Sequence, residues 1–167
     1  MQLFKDALSH NGQRCDVCFI EVDRFDDVLK NNIIKAHAVC FHDNKMLLVH
    51  HPQWDIWGIP GGTLEPEESA EETLIREIKE ETNCEVLSIR PIGYQEVIPP
   101  NNDIHYRIQY MCSVRPFGEF ISDPAGNIDG IKWIDPEEYR DHIETKEFKQ
   151  AVIQRALNLL KREAEGM

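Results

Sequence analysis

Residues Trp57 to Cys84 read WGIPGGTLEPEESAEETLIREIKEETNC, a glycine-proline turn that runs directly into a segment crowded with glutamates. Glycines around Pro60 permit backbone conformations and close approaches that other residues resist. Ser69 followed by Glu72 fits a capping box, so a helix is expected from Ala70 to Thr82, closed by Asn83, which tolerates the left-handed conformation common at helix ends. On a wheel of about 100° per residue with Glu77 at zero, Glu81 falls at about 40° and Glu80 at about 300°, so three carboxylates share an arc of about 100°. Ala70, Leu74 and Ile78 lie on the adjoining arc, which puts Glu77 and Glu81 on or beside the apolar face. Like charges so placed raise one another's pKa, and a hard cation relieves the repulsion. A glutamate-rich helix is also commonly a solvated one, with Arg76 and Lys79 forming ordinary surface pairs. The glycine turn upstream turns the pattern toward a metal and a phosphorylated substrate, because exposed amides and carbonyls suit both.

Working outward, Ile33–Phe41 and Lys45–His50 read as strands of a hairpin around His42-Asp43-Asn44. Beyond the glutamate helix, Glu85–Ile98, Ile104–Arg115 and Ile128–Ile134 read as strands, the first two separated by Pro99-Pro100-Asn101-Asn102. Asp135-Pro136 opens a short helix, and Glu147–Arg162 carries Phe148, Val152, Ala156, Leu159 and Leu160 at helical spacing. Residues 1–32 offer one apolar run, Val17–Val22, and read as an added strand and turn packed on a main domain of residues 33–167. The mixture points to an α/β fold, a sheet covered by helices.

The chain has 167 residues, and 18 Lys+Arg against 30 Asp+Glu leave a net charge of −12. Such a surface repels a phosphate backbone, which excludes long nucleic acid as a partner. No run approaches the ~18–20 apolar residues of a membrane span, and the first residues lack the apolar stretch of a signal peptide, so a cytoplasmic location without membrane contact is expected. Five cysteines, an odd number spread along the chain, are expected to be free thiols. Cys15-x-x-Cys18 has no second pair at zinc-ribbon spacing and reads as a loop pair of thiols. His50-His51 at a strand end could meet phosphate, and Trp54, Tyr94 and Tyr106 could stack on a base, although such residues are more often strand-end or core groups.

The stretch Gly62–Cys84 resembles the signature of the Nudix hydrolase superfamily: a glycine, five residues, a glutamate, seven residues, then Arg-Glu-aliphatic-any-Glu-Glu-any-Gly-aliphatic. Gly62, Glu68, Arg76, Glu77, Ile78, Glu80 and Glu81 match, while Asn83 and Cys84 stand where the family has glycine and a bulky aliphatic residue. The flanking Trp57–Gly61 and Trp133-Ile134 extend the likeness to about residues 33–160. The resemblance implies a Nudix-like α/β/α sandwich around a mixed β-sheet and a pyrophosphohydrolase acting on a small-molecule nucleotide, with Mg²⁺ or Mn²⁺ as cofactor. By position, Glu77, Glu80 and Glu81 would be catalytic metal ligands, with the Gly61 carbonyl joining them. Glu68 and Arg76 would hold loop to helix, and Gly61, Gly62 and Arg76 would face the substrate.

An acid from beyond the signature is also implied, for which Glu119, Asp123 and Asp129 are candidates and Asp129, four residues before Trp133, is preferred. The resemblance also implies a substrate, because some ADP-ribose-cleaving members carry a proline about fifteen residues past the signature: Pro99 and Pro100, fifteen and sixteen past Cys84, fit that pattern and equally fit a plain turn, and the expected substrate is a nucleoside diphosphate derivative such as ADP-ribose or a nucleotide sugar. A binding module that has lost turnover would show damaged carboxylates, and all three are intact. A homodimer is left open.

Overall fold

The computed structural model describes residues 1–25, 32–143 and 146–166. Its strands are β1 (Gln2–His10), β2 (Gln13–Glu21), β3 (Ile33–His42), β4 (Lys45–His51), β5 (Ile56–Gly58), β6 (Gly61–Thr63), β7 (Cys84–Ile98), β8 (His105–Pro116) and β9 (Gly130–Ile134). Two α-helices accompany them, α1 (Ala70–Thr82) and α2 (Glu147–Ala164), with a 3-10 helix at Pro136–Asp141. Hydrogen bonding orders the strands β1-β2-β7-β8-β3-β4-β5, with β6 on β3 and β9 on β4. The β3–β8 pair is parallel and the other pairs are antiparallel, which makes the sheet mixed.

Strand alternation divides the core between the two faces of this sheet. Ala36, Ala38 and Cys40 of β3 pack with Leu74 and Ile78 of α1. Val39 and Phe41, one residue out of phase, pack with Val152, Ile153 and Ala156 of α2. Leu74 and Ile78 are wholly buried, and each such side chain contributes about 1.5–3 kcal/mol relative to exposure. The result is helix, sheet, helix.

Helix α1 begins where its chemistry requires. The Ser69 side chain accepts a hydrogen bond from the Glu72 amide at 3.1 Å, satisfying one of the donors left open in a first turn. At the other end Asn83 adopts φ 54°, ψ 40°, and its amide donates to the Lys79 carbonyl. The 3-10 helix starts likewise, with Asp135 accepting from the Glu137 amide and a proline in the first turn.

Two expectations need correction. Residues 1–25 form a two-stranded hairpin where a strand and a turn are expected, because Asn11 and Gly12 both take positive φ, 50° and 77°, and make the two-residue turn that joins twisted antiparallel strands. Cys15 and Cys18 are then not loop residues: both lie in β2, buried. All five cysteines are free thiols. The hairpin joins the sheet edge through β2–β7 pairing, and Cys15 and Val17 pack with Val97 and Phe148 at the start of α2.

Candidate active site

Strand β6 is three residues long and lies along β3 with Gly61 opposite His37, Gly62 opposite Ala36 and Thr63 opposite Lys35. That register carries the glycine turn to the foot of α1. The Gly61 amide donates to Glu81 Oε1 at 2.9 Å. A methyl group on Gly62 would stand 2.3 Å from Glu77 Oε1, so the Glu77 carboxyl occupies the space that the missing side chain leaves. The wheel therefore reads correctly: Glu81 is 4% exposed and Glu77 is half-buried beside it.

Arg76 organises the exposed side of the same cluster. Its Nε and Nη2 grip both carboxylate oxygens of Glu68, at 2.8 and 2.9 Å. Its Nη1 reaches Glu77 Oε1 at 3.0 Å and Glu80 Oε2 at 3.5 Å, and Nη2 reaches the Thr63 carbonyl at 3.4 Å. Glu68 also accepts from the Thr73 hydroxyl and the Glu65 amide. Arg76, then Thr73, pull the Glu68 carboxyl down to about 2, so this link between loop and helix stays ionised to strongly acid pH.

The electrostatics of Glu81 are opposite. Burial, aided by Glu77, Asp123 and Glu80, pushes its carboxyl up to about 8 against the lowering effect of the Gly61 amide. Burial likewise raises Glu77, although Arg76 opposes it. Glu81 makes no ion pair among the described residues. A buried carboxylate with acidic neighbours and no basic partner fits a hard divalent cation. Among the described residues, no three metal-ligating side chains enclose a common point in this conformation, since Arg76 spans Glu77 and Glu80.

The acids beyond α1 separate clearly. Asp123 is buried, and its carboxylate accepts the backbone amides of Ala125, Asn127 and Ile128, which folds the loop 123–128 around it. Its charge acts on both Glu77 and Glu81. Asp129 instead pairs with His50 Nδ1 at 2.6 Å, while Asp55 takes His50 Nε2 at 2.8 Å. Those two carboxylates raise the His50 pKa, Asp129 first. Glu119 is exposed, and its carbonyl accepts from the Asn83 side chain.

On the α2 face, behind β6, lies a cavity of about 620 Å³. Lys35 and His37 of β3 and Arg107 and Gln109 of β8 form its floor, Trp54 and Trp57 one wall, and the β1–β2 turn at His10-Asn11 another. Nothing in the sequence reading singled out Lys35, His37, Arg107 or Gln109. The usable signal was alternation: Lys35 and His37 are polar residues two apart in an apolar strand, as are Arg107 and Gln109, which puts each pair on one face. Of the aromatic candidates, Trp54 is 62% exposed at the cavity rim, 5.9 Å from the His51 ring. Tyr94 and Tyr106 meet edge to face at 5.8 Å as cross-strand neighbours on β7 and β8.

Comparison with known proteins matches the NUDIX domain family model over residues 33–156. The chain belongs to the NUDIX domain family. It is 40% identical over 61 residues to a putative 8-oxo-dGTP diphosphatase YtkD of Bacillus subtilis, covering 36% of this chain and 38% of that protein. It is 31% identical over 83 residues to a putative ADP-ribose pyrophosphatase YjhB of the same organism, covering 47% and 40%. The matches thus span less than half the length of either relative. The fold resembles the solved structure of the Bacillus subtilis pyrophosphohydrolase BsRppH with a TM-score of 0.72, 23% identity and 98% of each chain covered.

The Nudix signature is complete here except at residues 83 and 84, and the structure shows why the departure is tolerated. Asn83 supplies the positive φ that glycine gives the family pattern. Its side-chain amide also donates to the Glu119 carbonyl at 3.0 Å, and its own carbonyl accepts from Phe117. Cys84 is fully buried in the α1-face core, filling the aliphatic position. Asn83→Gly gains about 0.5–1 kcal/mol of backbone relief and loses a hydrogen bond of similar worth. Its melting temperature is therefore expected to stay near wild type while amide exchange in the 117–119 loop quickens. The β1–β2 hairpin lies outside the Nudix match and yet supplies a wall of the cavity.

Proposed function

We propose that the chain is a divalent-metal-dependent hydrolase that cleaves the pyrophosphate linkage of a small nucleotide. The observation that carries this reading is the Glu81 carboxyl, buried near Glu77, Glu80 and Asp123 with no basic partner among the described residues and hydrogen-bonded to the turn at Gly61. Glu77, Glu80 and Glu81 would hold the cation, with the Gly61 carbonyl beside them. Mg²⁺ or Mn²⁺, when bound, supplies neutralisation of phosphate oxygens and a lowered pKa for an attacking water.

The chain's own groups do the positioning. Gly61 fixes one oxygen of Glu81, Glu68 and Arg76 lock the turn to α1, and Asp123 adds a carboxylate whose charge reaches the same cluster. Asp129, the acid preferred from sequence, would act through His50, with which it pairs, rather than from the carboxylate cluster. The names of the relatives support both a diphosphate derivative, through YjhB, and a triphosphate, through YtkD.

The test is product analysis on ADP-ribose, a nucleotide sugar and dGTP, each with Mg²⁺, Mn²⁺ or EDTA. Turnover is expected with either metal and not with EDTA, and Glu80→Gln should lower it at least ~10²-fold with the fold intact. Full activity in EDTA would overturn the reading.

A further inference from the structure

Lys35 and Arg107 are register partners on the parallel strands β3 and β8, side by side on the face that floors the cavity. Neighbouring strands lie about 4.8 Å apart, and like charges directly opposite one another destabilise a sheet. Neither residue makes an ion pair among the described residues, and Arg107 Nε is buried with no hydrogen-bond partner. Burial and Arg107, with Lys149 from α2, depress the Lys35 pKa. In a chain with 30 acidic side chains against 18 basic ones, two adjacent cations with no carboxylate partner among the described residues require an explanation.

The surroundings narrow it. Among the carboxylates described above, Glu68, Glu77 and Glu80 engage Arg76, Asp55 and Asp129 engage His50, Glu81 accepts from the Gly61 amide, and Asp123 accepts from the amides of its own loop. The other floor groups, His37 and the amides of Gln95 and Gln109, can donate hydrogen bonds and carry no negative charge, and burial and Arg107 push His37 down to about 3. A neutral nucleobase would leave the two positive charges uncompensated; an anion would not. Gly61 links the cavity floor to the carboxylate cluster, since it lies opposite His37 with no room for a side chain against that ring, and its amide donates to Glu81.

We propose that this cavity is an anion subsite in which Lys35 and Arg107 hold the terminal phosphate of the substrate, so that the chain prefers nucleotides ending in a free phosphate over diphosphates capped at both ends. The inference rests on the hydrolase reading for its consequence in turnover, but the binding site itself does not. It assigns specificity to side chains outside the Nudix signature, and it shifts the preferred substrate away from ADP-ribose and nucleotide sugars.

Two measurements test it. In the metal-free chain, inorganic tripolyphosphate should bind by calorimetry and raise the melting temperature. Lys35→Gln should weaken that binding at least tenfold, and Lys35→Arg should largely restore it. With metal, the ratio of kcat/KM for dGTP to that for ADP-ribose should fall at least tenfold in Lys35→Gln and in Arg107→Gln. If Arg107→Gln fails to fold, the Lys35 pair decides alone. Equal tripolyphosphate binding by wild type and Lys35→Gln, an unchanged ratio, or guanosine binding as tightly as tripolyphosphate would overturn the subsite. No hydrolysis of any nucleotide, with tripolyphosphate binding still dependent on Lys35, would sink the hydrolase reading and leave the subsite standing.

Discussion

Glu81→Gln is expected to make the metal-free protein more stable and the metal-loaded protein nearly inactive. The amide keeps an oxygen to accept from Gly61 but carries no charge to bury. The Glu81 carboxyl is raised from its ordinary value to about 8 in the fold, so the folded chain holds a proton there that the unfolded chain releases. Between the ordinary carboxylate pKa and about 8, stability of the metal-free wild type therefore falls as pH rises, by an amount on the order of a few kcal/mol, and above that range the loss is complete. Thermal melts in EDTA at pH 5 and pH 8 should show a wild-type decline that Glu81→Gln largely removes. Turnover with Mg²⁺ should drop at least ~10²-fold in the same variant. A variant less stable than wild type at pH 8 in EDTA would show that the carboxylate is not under electrostatic stress.

Gly61→Ala and Gly62→Ala, one residue apart, should fail in different ways. Gly61 has φ +153°, and a methyl group there would lie 2.3 Å from the Ala36 carbonyl oxygen and 2.7 Å from the His37 Cα, atoms of the β3 backbone that cannot move aside. Strain and overpacking together cost about 3–5 kcal/mol, a large part of an ordinary domain's stability. A fall in melting temperature of roughly 10 °C or more, or loss of soluble protein, is expected. At Gly62 the obstacle is the end of the Glu77 side chain, which can rotate. Gly62→Ala should therefore melt within a few degrees of wild type, with about a ten- to hundredfold loss of metal-dependent turnover as Glu77 is displaced. Equal melting temperatures for the two variants would contradict the packing described for β6.

What could be read before the structure follows from how local each signal is. Helix α1 is specified by Ser69, by the spacing of Leu74 and Ile78 and by Asn83, all within fifteen residues, and its limits agree with the expected Ala70–Thr82. The burial of Glu81 was likewise present in the wheel. The β1–β2 hairpin was legible in Asn11-Gly12, a strong turn signal, but β1 concealed it: its apolar residues come in adjacent pairs, Leu3-Phe4 and Ala7-Leu8, and this edge strand, mostly exposed, lacks the apolar alternation of an inner strand. The cavity floor was the least legible part. Lys35 and Arg107 are 72 positions apart and become neighbours only through the parallel β3–β8 pairing, a long-range choice that no local pattern announces.

The short strand β6 has a consequence for how this molecule could diverge. It touches the acidic helix through the Gly61 amide and pairs with β3 of the cavity floor, while the side chains that line the cavity come from other strands, from α2, from the Trp54 loop and from the hairpin turn outside the family domain. Cavity residues can therefore drift, or the Asn11-Gly12 turn be lengthened, without moving Glu77, Glu80 or Glu81. A repertoire of ligand preferences is within reach of a few substitutions, and libraries randomised at residues 9–12, 35 and 107 would sample it with the carboxylate cluster held constant.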